Sequence, residues 1–565
     1  MRPRSSFSAA LSSPTVSGCL LAALLLWVIL AHGAFARFDG RSLPDHDYFN
    51  ARPFLSAYGH TLQAHSFHSL TESVRSYRTY YLHHTYFLAL PAYFAGIDFF
   101  RFHLFGLPFY LLMILGAYAT GRLLAHRSFG LLCAFIVATL PLYDNFSRKT
   151  DLQFFVAVYL VWANFFVLKI LTSPWKIHYS LLFGLSAGLA IVAHPIALLL
   201  LPPLFIALLL HLAHGRGLYE KRGVRFVLAI AFTLLFASPF LFKSVDYVME
   251  KRAFVSAALN GSLAGMSAAD RAHLWLDNNC WDFLGPWFAA FFALVLLAAL
   301  VRLVLATRRD AVSWYTIALS IYYPAGSLYT TINGAMTYDF IAMQVLLLPL
   351  LLREAYLLLT DNWAGKGARL ALIAGVCLAL VGGTIEKNSI FQPLREDAPP
   401  DAYPNHLAHR RIQYRLDLSR QTIENLLRLN SGQRVSLRVQ HLTPTAAGGL
   451  AIEPPTDNDR QIFYLLEATA ALYDVVLLED EQAEAGWRPF ELVYYRLPQP
   501  AGAKNVARAI LALRAAWDDG RTLDWSYAAR RGTHATMPVM TDAAALMAVR
   551  RVPEPQRGVA SQTAP

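Results

Sequence analysis

The chain has 565 residues, of which 56% are hydrophobic and only 15% are charged, with a formal net charge of +11. Soluble domains carry about 25% charged residues, so the composition excludes an ordinary soluble enzyme. The apolar residues cluster into runs of roughly the 17–25 residues that cross a bilayer. Much of the Lys and Arg lies in short loops between these runs. We therefore interpret the positive charge as setting the orientation of the protein in the membrane rather than as binding nucleic acid.

The first apolar run extends from about Val16 to Phe35 and follows a basic N-terminus. Two interpretations fit this pattern. One is a cleaved signal peptide with Ala34-Phe35-Ala36 as its cleavage site, and the other is a retained membrane anchor. We favour the anchor because the run is long for a signal peptide. Either way, the chain from Arg37 onward is expected to lie outside the cytoplasm.

Further apolar runs follow, and with the first they predict about eleven transmembrane helices. They are approximately His103–Leu124, Phe129–Tyr143, Leu152–Leu171, Tyr179–Ala193, Pro195–His211, Val224–Phe242, Gly285–Leu305, Val312–Tyr329, Phe340–Leu359 and Ala368–Thr384. With a cytoplasmic N-terminus, the inside loops are short and basic, as the positive-inside rule requires. The odd number of spans then predicts a multi-pass membrane protein whose C-terminal region lies outside the cytoplasm.

Composition divides the chain into four parts. Residues 1–385 are predicted to form the transmembrane domain, in which the long outer loop 37–102 is the catalytic loop. A proline-rich linker follows at 386–402. Residues 403–500 predict a small extracytoplasmic α/β domain, because helix-like segments alternate with the strand-like stretches RVSLRVQHL, YDVVLLED and ELVYYRLP. Residues 501–565 are predicted to form a helical extension and a disordered tail.

Carboxylates are concentrated in the predicted outer loops. Carboxylates at a membrane face are costly to bury, and those that are present usually mark function. Any one of them is also explained as a solvated loop residue or a helix cap, and Asp151 stands where an N-cap residue is expected. Because they gather on one predicted side of the membrane, the set as a whole favours a functional site. The candidates are Asp45 and Asp47 after the first span, Asp144 and Asp151 in the turn LYDNFSRKTD, and Asp282 in LDNNCWDFLGPW.

Cations accompany these carboxylates in the same loops. A carboxylate can act as general base towards an acceptor hydroxyl or amine, while cations stabilise a phosphate leaving group. Contact with lipid headgroups explains the same cations equally simply. The candidates are Arg75, Arg78, His83, His84, Arg148 and Lys149. No set of His, Cys, Asp and Glu shows the spacing of a metal site, so we expect neither a metal nor another cofactor.

Four residues, two of them among these carboxylates, are candidates for contact with a sugar or an acceptor. They are Tyr48, Asp144, His194 and Asp282. Tyr48 belongs to a group of aromatic residues that suits either a sugar or lipid groove or an interfacial aromatic belt. His194 is a lone histidine between two predicted spans, where a residue at a helix terminus is the simpler interpretation.

Four motifs in chain order carry a resemblance to a known family. They are Pro44-Asp45 with Tyr48 and Ala51-Arg52; His83-His84-Thr85-Tyr86-Phe87; Gly121-Arg122-Leu123-Leu124 through Leu140-Pro141 with Ser147-Arg148-Lys149-Thr150-Asp151; and Gly184-Leu185-Ser186-Ala187-Gly188-Leu189-Ala190 with His194-Pro195. Together they cover roughly residues 15–350. They resemble the GT-C fold membrane glycosyltransferases, specifically the bacterial relatives of protein O-mannosyltransferases and of lipid A aminoarabinose or galacturonic acid transferases.

The chain departs from the family pattern at three places. His46 stands where the family usually has Glu, and His194 stands where Lys is usual. The segment Tyr338-Asp339-Phe340 lacks the Arg-Tyr pair often found there.

The resemblance implies a transferase that moves a sugar from a polyprenyl-phosphate donor in the membrane to a lipid, glycan or protein acceptor on the outer face. Under it, Asp45 is the base or orients the acceptor, with Asp47 as the alternate, and Asp151 is the second carboxylate. Arg78, His83 and Arg148 hold the donor phosphate, with His84 and Lys149 beside them. The family generally needs no metal.

Two alternatives from other classes stay open. A transporter or flippase of a lipid-linked substrate would place charged residues inside the spans, facing a central path. Here the predicted spans are nearly free of charge, which favours an enzyme. A non-catalytic membrane assembly factor, whose C-terminal domain binds a partner, is compatible with the substitutions at His46 and His194.

Overall fold

The computed structural model of the full chain describes its helices, its strands and short connecting segments. The described residues are 13–39, 83, 85–95, 99–140, 143, 147, 152–194, 196–214, 219–238, 267–276, 283–306, 309–332, 342–360, 366–389, 432, 434–444, 450–453, 475–479, 488–496, 522–529 and 544–551.

Helices account for most of the described residues up to 389. They are α1 (Pro14–Asp39), α2 (Leu90–Ala95), α3 (Phe99–Leu104), α4 (Leu107–Leu124), α5 (Arg127–Thr139), α6 (Leu152–Thr172), α7 (Ile177–Ala193), α8 (Ala197–Leu200), α9 (Pro202–His214), α10 (Tyr219–Ala237), α11 (Ala268–Leu276), α12 (Phe283–Leu305), α13 (Ala311–Ile332), α14 (Ala342–Thr360) and α15 (Lys366–Ser389). A short π-helix, Thr85–Ala89, precedes α2.

The apolar runs of the sequence appear as helices in the predicted order. The run Pro195–His211 is divided into α8 and α9, because Pro202 cannot continue a helix but suits the first position of a new one. Four helices, α1, α4, α6 and α12, are long and apolar enough to cross a membrane by themselves. Shorter apolar helices accompany them, so the chain is a multi-pass membrane protein. The count of about eleven spans stays a prediction.

The chain forms two compact units. The first comprises Met1–Ala36, Arg75–His83 and His103–Arg410, and the second comprises Arg37–Val74, His84–Phe102 and Arg411–Pro565. At the centre of the first unit lies α6, which packs against α4, α7, α9, α13 and α14. Most α6 side chains are buried. Among the buried α6 side chains, the Asn164 Oδ1 accepts a hydrogen bond of 2.7 Å from the Tyr315 hydroxyl of α13.

The small-residue span of the sequence is the site of a close helix contact between α7 and α10. A Cβ at Gly184 would collide with the Cβ of Phe232, and a Cβ at Gly188 would come within 2.5 Å of the Cβ of Phe236. Because the two glycines are four residues apart, they lie on one face of α7. This packing accounts for the glycines of the motif without a role in chemistry.

The described part of the second unit contains a mixed β-sheet. Its strands are β1 (Arg434–Pro444), β2 (Leu450–Glu453), β3 (Val476–Glu479), β4 (Arg488–Arg496), β5 (Thr522–Ala529) and β6 (Ala544–Arg551). The order is β2-β1-β4-β6-β5, and β3 also pairs with β1. Strand β1 is parallel to β3 and β4, whereas the β1–β2, β4–β6 and β5–β6 pairs are antiparallel.

The sheet extends beyond the domain boundary that the sequence predicted. Strands β1, β3 and β4 coincide with the three predicted strand-like stretches, but β5 and β6 lie in the segment 501–565 that was expected to be a helical extension and a tail. The β6 sequence AALMAVRR is rich in helix-forming residues, and pairing of β6 with β4 on one side and β5 on the other overrides that preference. The predicted helices at about 406–429, 457–472 and 503–517 lie outside the described residues.

Candidate active site

The first turns of α4 and α6 enclose the side chain of His83. The His83 ring centroid lies 5.8 Å from that of Phe109, the third residue of α4. From α6, the rings of Phe155 and Tyr159 lie at 4.5 Å and 5.5 Å. Phe155 and Tyr159 are four residues apart, so the helical repeat brings both onto the face that meets the histidine. We call these four residues the aromatic–histidine cluster.

A hydrogen bond fixes the imidazole within this cluster. The His83 Nε2 and the Tyr159 hydroxyl oxygen are 2.7 Å apart, and the histidine side chain is 0% exposed. The sequence led us to expect His83 among the ligands of a phosphate. In the structure the Nε2 is engaged by Tyr159 and aromatic rings cover the imidazole, so a phosphate arriving from outside does not reach the Nε2 in this arrangement.

Two described residues of the segment between α5 and α6 are buried, one near the start of α14 and the other near the start of α4. Tyr143 is buried and forms a hydrogen bond with the backbone of Val345, the fourth residue of α14. Ser147 is also buried. Its backbone passes so close to Gly106 that a Cβ at Gly106 would collide with the Ser147 carbonyl oxygen.

His194 lies at the C-terminus of α7 and is buried. Its backbone N–H donates to the Ala190 carbonyl, and its Nδ1 accepts from the Ile196 backbone N–H at 3.2 Å. Its own carbonyl oxygen accepts from the Ala197 N–H. These contacts satisfy backbone groups at the junction of α7 and α8. They match the helix-terminus interpretation of His194, while a contact with a sugar stays a prediction.

The other predicted site residues lie outside the described residues. They are Asp45, Asp47, Tyr48, Arg75, Arg78, His84, Asp144, Arg148, Lys149, Asp151 and Asp282. His83, which the structure does describe, lies against α6. The first residue of α6, Leu152, directly follows Asp151 in the sequence. Among the described residues, no group of three or more His, Cys, Asp or Glu side chains is arranged to hold a metal ion.

Sequence reasoning missed Tyr159 as a partner of His83. Tyr159 stands within the apolar stretch LQFFVAVYLVW. A hydroxyl on a buried helix must find a hydrogen-bond partner inside the protein, and that requirement is the signal that singles it out. Because periodicity alone treats tyrosine as one more apolar ring, the partner was not foreseen.

A buried histidine also ties α1 to the rest of the first unit. The His32 Nε2 lies 2.8 Å from the backbone carbonyl oxygen of His103, and both histidines are buried. Helix α1 continues without interruption through Ala34-Phe35-Ala36 to Asp39. The first apolar run thus packs as one helix of the unit in the full chain, and its retention stays a prediction.

A second polar cluster joins the start of α13 to the later part of α14. The Arg353 guanidinium forms an ion pair with Asp310 and another, of 2.6 Å, with the Glu354 Oε1. The same Glu354 oxygen accepts from the Ser313 hydroxyl at 3.0 Å. The Glu354 side chain is fully buried. We call Asp310, Ser313, Arg353 and Glu354 the charged cluster; it is an exception to the expectation that the spans are nearly free of charge.

The described helices define a multi-pass membrane protein built around one central helix. No protein-family model matches the chain, and no curated protein matches its sequence. Solved structures do match its fold. ArnT from Cupriavidus metallidurans bound to undecaprenyl phosphate is 13% identical with a TM-score of 0.51, and the match covers 95% of this chain and 98% of that chain.

Two further solved structures are similar to this chain. The apo state of the same ArnT is 12% identical with a TM-score of 0.51, over 93% of this chain and 97% of that chain. The oligosaccharyltransferase AglB from Archaeoglobus fulgidus, in complex with an inhibitory peptide and a dolichol-phosphate, is 12% identical with a TM-score of 0.45, over 92% and 75%. These neighbours are GT-C fold glycosyltransferases. The resemblance that the four motifs indicated is therefore confirmed at the level of the fold, on the ArnT match.

Proposed function

We propose that this protein is a membrane glycosyltransferase that takes a sugar from a polyprenyl-phosphate donor and attaches it to a lipid, glycan or protein acceptor. We place the reaction on the outer face of the bacterial inner membrane, with the N-terminus in the cytoplasm and the C-terminal domain in the periplasm. The observation that carries the proposal is the fold match with ArnT over almost the whole length of both chains. The undecaprenyl phosphate bound to ArnT supports the choice of donor class.

The proposed chemistry is one displacement at the anomeric carbon of the donor sugar. The acceptor oxygen or nitrogen forms a bond to that carbon, and the bond between the carbon and the phosphate oxygen breaks. The acceptor proton passes to a carboxylate, since a general base must take it as the new bond forms. The polyprenyl phosphate leaves with its negative charge, which positioned cations stabilise.

We assign Asp45 as this base, with Asp47 as the alternate and Asp151 as the second carboxylate. The cations that hold the phosphate are Arg78, His84, Arg148 and Lys149. Tyr48, Asp144, His194 and Asp282 are assigned to the sugar or the acceptor. His83 was expected among the phosphate ligands, but because its ring is buried against α4 and α6, we give it the different role argued below.

The proposal is tested by incubating membranes that carry the protein with a panel of polyprenyl-phosphate sugars and measuring released polyprenyl phosphate. Wild type is expected to release it with at least one donor. Asp45→Asn is expected to lower the rate about 100-fold or more, since general-base catalysis contributes about 10²–10⁴-fold. Asp270→Asn is the matched control, because Asp270 is an exposed carboxylate in α11 whose hydrogen bonds go to Ser267.

The two possible failures have different meanings. If Asp45→Asn and wild type release polyprenyl phosphate equally, Asp45 has no part in the mechanism while the activity stands. If wild type releases none with any donor, the proposed function is wrong.

A second candidate function is a transporter or flippase of a lipid-linked substrate. One observation favours it: Arg353 and the fully buried Glu354 lie inside α14, and ionisable residues within spans often mark transport paths. Proteoliposomes separate the two functions. A flippase moves a labelled polyprenyl-phosphate sugar between leaflets without breaking it, whereas a transferase converts it to polyprenyl phosphate and a glycosylated acceptor.

A further inference from the structure

The aromatic–histidine cluster restrains one position of the outer loop on two helices. His83 contacts Phe109 of α4 and both Phe155 and Tyr159 of α6. Phe109 in turn contacts Phe155, with ring centroids 4.8 Å apart and the planes perpendicular. His83 is therefore held by a closed set of ring contacts rather than by a single one.

The hydrogen bond to Tyr159 also fixes the orientation of the His83 ring. Both side chains are buried, and Nε2 and the hydroxyl oxygen are 2.7 Å apart. In a buried apolar setting, loss of either partner leaves the other polar atom unsatisfied, which costs more than the bond itself is worth. The imidazole is thus fixed both in position and in rotation about its ring axis.

The restrained residue lies inside the predicted basic run of the loop. His84 follows His83 directly, and Arg78 precedes it by five residues, which limits their separation to about 17 Å at full extension. The helix that supplies Tyr159 begins at Leu152, directly after the predicted phosphate and carboxylate residues Arg148, Lys149 and Asp151 in the sequence. One contact therefore connects two chain segments that both carry assigned site residues.

We propose that Tyr159 is a positioning residue which, through His83, holds the basic segment of the outer loop on α6 for recognition of the donor phosphate. The inference rests on the proposed function for its substrate and on described contacts for its geometry. In this account His83 is an anchor and not a ligand of the phosphate, because its ring is fully buried. Within the described residues, Tyr159 is the titratable side chain that contacts His83 from α4 or α6.

The test substitution is Tyr159→Phe, which keeps the ring and removes the hydroxyl. The matched control is Tyr315→Phe, because the buried Tyr315 hydroxyl also forms a 2.7 Å hydrogen bond to α6, at Asn164. Tyr159→Phe is expected to raise the KM for the donor about tenfold, as loss of one buried hydrogen bond predicts, and to leave kcat within about twofold. Tyr315→Phe is expected to leave both constants within about twofold.

A second measurement is independent of activity. Amide hydrogen exchange in the purified full-length protein is followed for peptides that cover residues 75–90. Exchange is expected to accelerate in Tyr159→Phe and to match wild type in Tyr315→Phe. If exchange in this segment is unchanged in Tyr159→Phe, or if both variants change it equally, the anchoring role is overturned.

The outcomes also separate this inference from the proposed function. An active wild type combined with an unchanged donor KM in Tyr159→Phe contradicts the positioning role and leaves the transferase intact. An inactive wild type with every donor contradicts the proposed function. Faster exchange in Tyr159→Phe alone then still supports the anchor.

Discussion

Two polar clusters of the first unit stabilise their buried polar groups by different interactions. The aromatic–histidine cluster joins a histidine and a tyrosine through one hydrogen bond under aromatic rings. The charged cluster instead pairs Arg353 with two carboxylates.

The two clusters differ in the free energy that is lost when one partner is removed. A buried ion pair contributes little net free energy over an apolar pair, but removal of one partner leaves an uncompensated buried charge. A neutral pair that loses one partner leaves only an unsatisfied hydroxyl or ring nitrogen, at a smaller cost. The charged cluster should consequently dominate stability, whereas the aromatic–histidine cluster should mainly affect recognition of the donor. The predictions below test this division.

The largest expected change in stability is at Arg353. Arg353→Met leaves the fully buried Glu354 without its cation and is expected to lower the free energy of unfolding by about 3 kcal/mol or more. Denaturant titration in detergent micelles measures this change. The double variant Arg353→Met/Glu354→Gln removes both charges and is expected to recover most of the loss. A single variant as stable as wild type would contradict the stabilising role of the Arg353–Glu354 ion pair.

A smaller effect is expected at the turn between α5 and α6. Tyr143→Phe removes the hydrogen bond to the Val345 backbone and is expected to cost about 1 kcal/mol, the usual net contribution of one hydrogen bond. The same titration measures it, with Tyr315→Phe for comparison. If Tyr143→Phe costs as much as Arg353→Met, the division between neutral and charged polar contacts is not valid.

The smallest effect is a pH dependence at Asp310, the exposed end of the charged cluster. Partial burial acts to raise the pKa of Asp310, but hydrogen bonds from Ser313 and Arg353 and the Arg353 charge outweigh it, so its pKa lies below the ordinary 3.8. The unfolded chain then binds the proton more readily, so the stabilisation is present above about pH 4. It is lost as the pH falls through the lowered pKa.

Thermal unfolding of wild type and Asp310→Asn as a function of pH checks this sign. The difference between their midpoints is expected to stay constant from about pH 8 to pH 5 and to shrink below the ordinary carboxylate pKa. A difference that grows as the solution is acidified would mean that the native protein favours the protonated Asp310.

The sequence predicted the helical part of the fold well because long apolar runs leave few alternatives. Helices α6, α12 and α14 begin within about two residues of the predicted spans. The charges inside α14 were not weighed, since its leucine-rich sequence is typical of an apolar span. The strand β6 was missed because its composition favours a helix and only its pairing partners reveal a strand.

The candidate site was less predictable for a physical reason. Residue types and loop order indicate which side chains suit phosphate and proton transfer, but not which of them are covered by other groups. His83 illustrates this: the motif His83-His84-Thr85-Tyr86-Phe87 indicated a phosphate ligand, and the structure places the first histidine under Phe155 with its Nε2 on Tyr159. A pairing across 76 residues depends on tertiary packing, which local patterns do not specify.

The most direct test of the proposed activity follows both products of the reaction in one assay. Purified full-length protein in proteoliposomes is given a polyprenyl-phosphate sugar labelled in the sugar and in the lipid, together with envelope lipids and glycans as acceptors. The account predicts one glycosylated acceptor for each polyprenyl phosphate released, with both products reduced in Asp45→Asn. Movement of the intact donor across the bilayer without either product would contradict it.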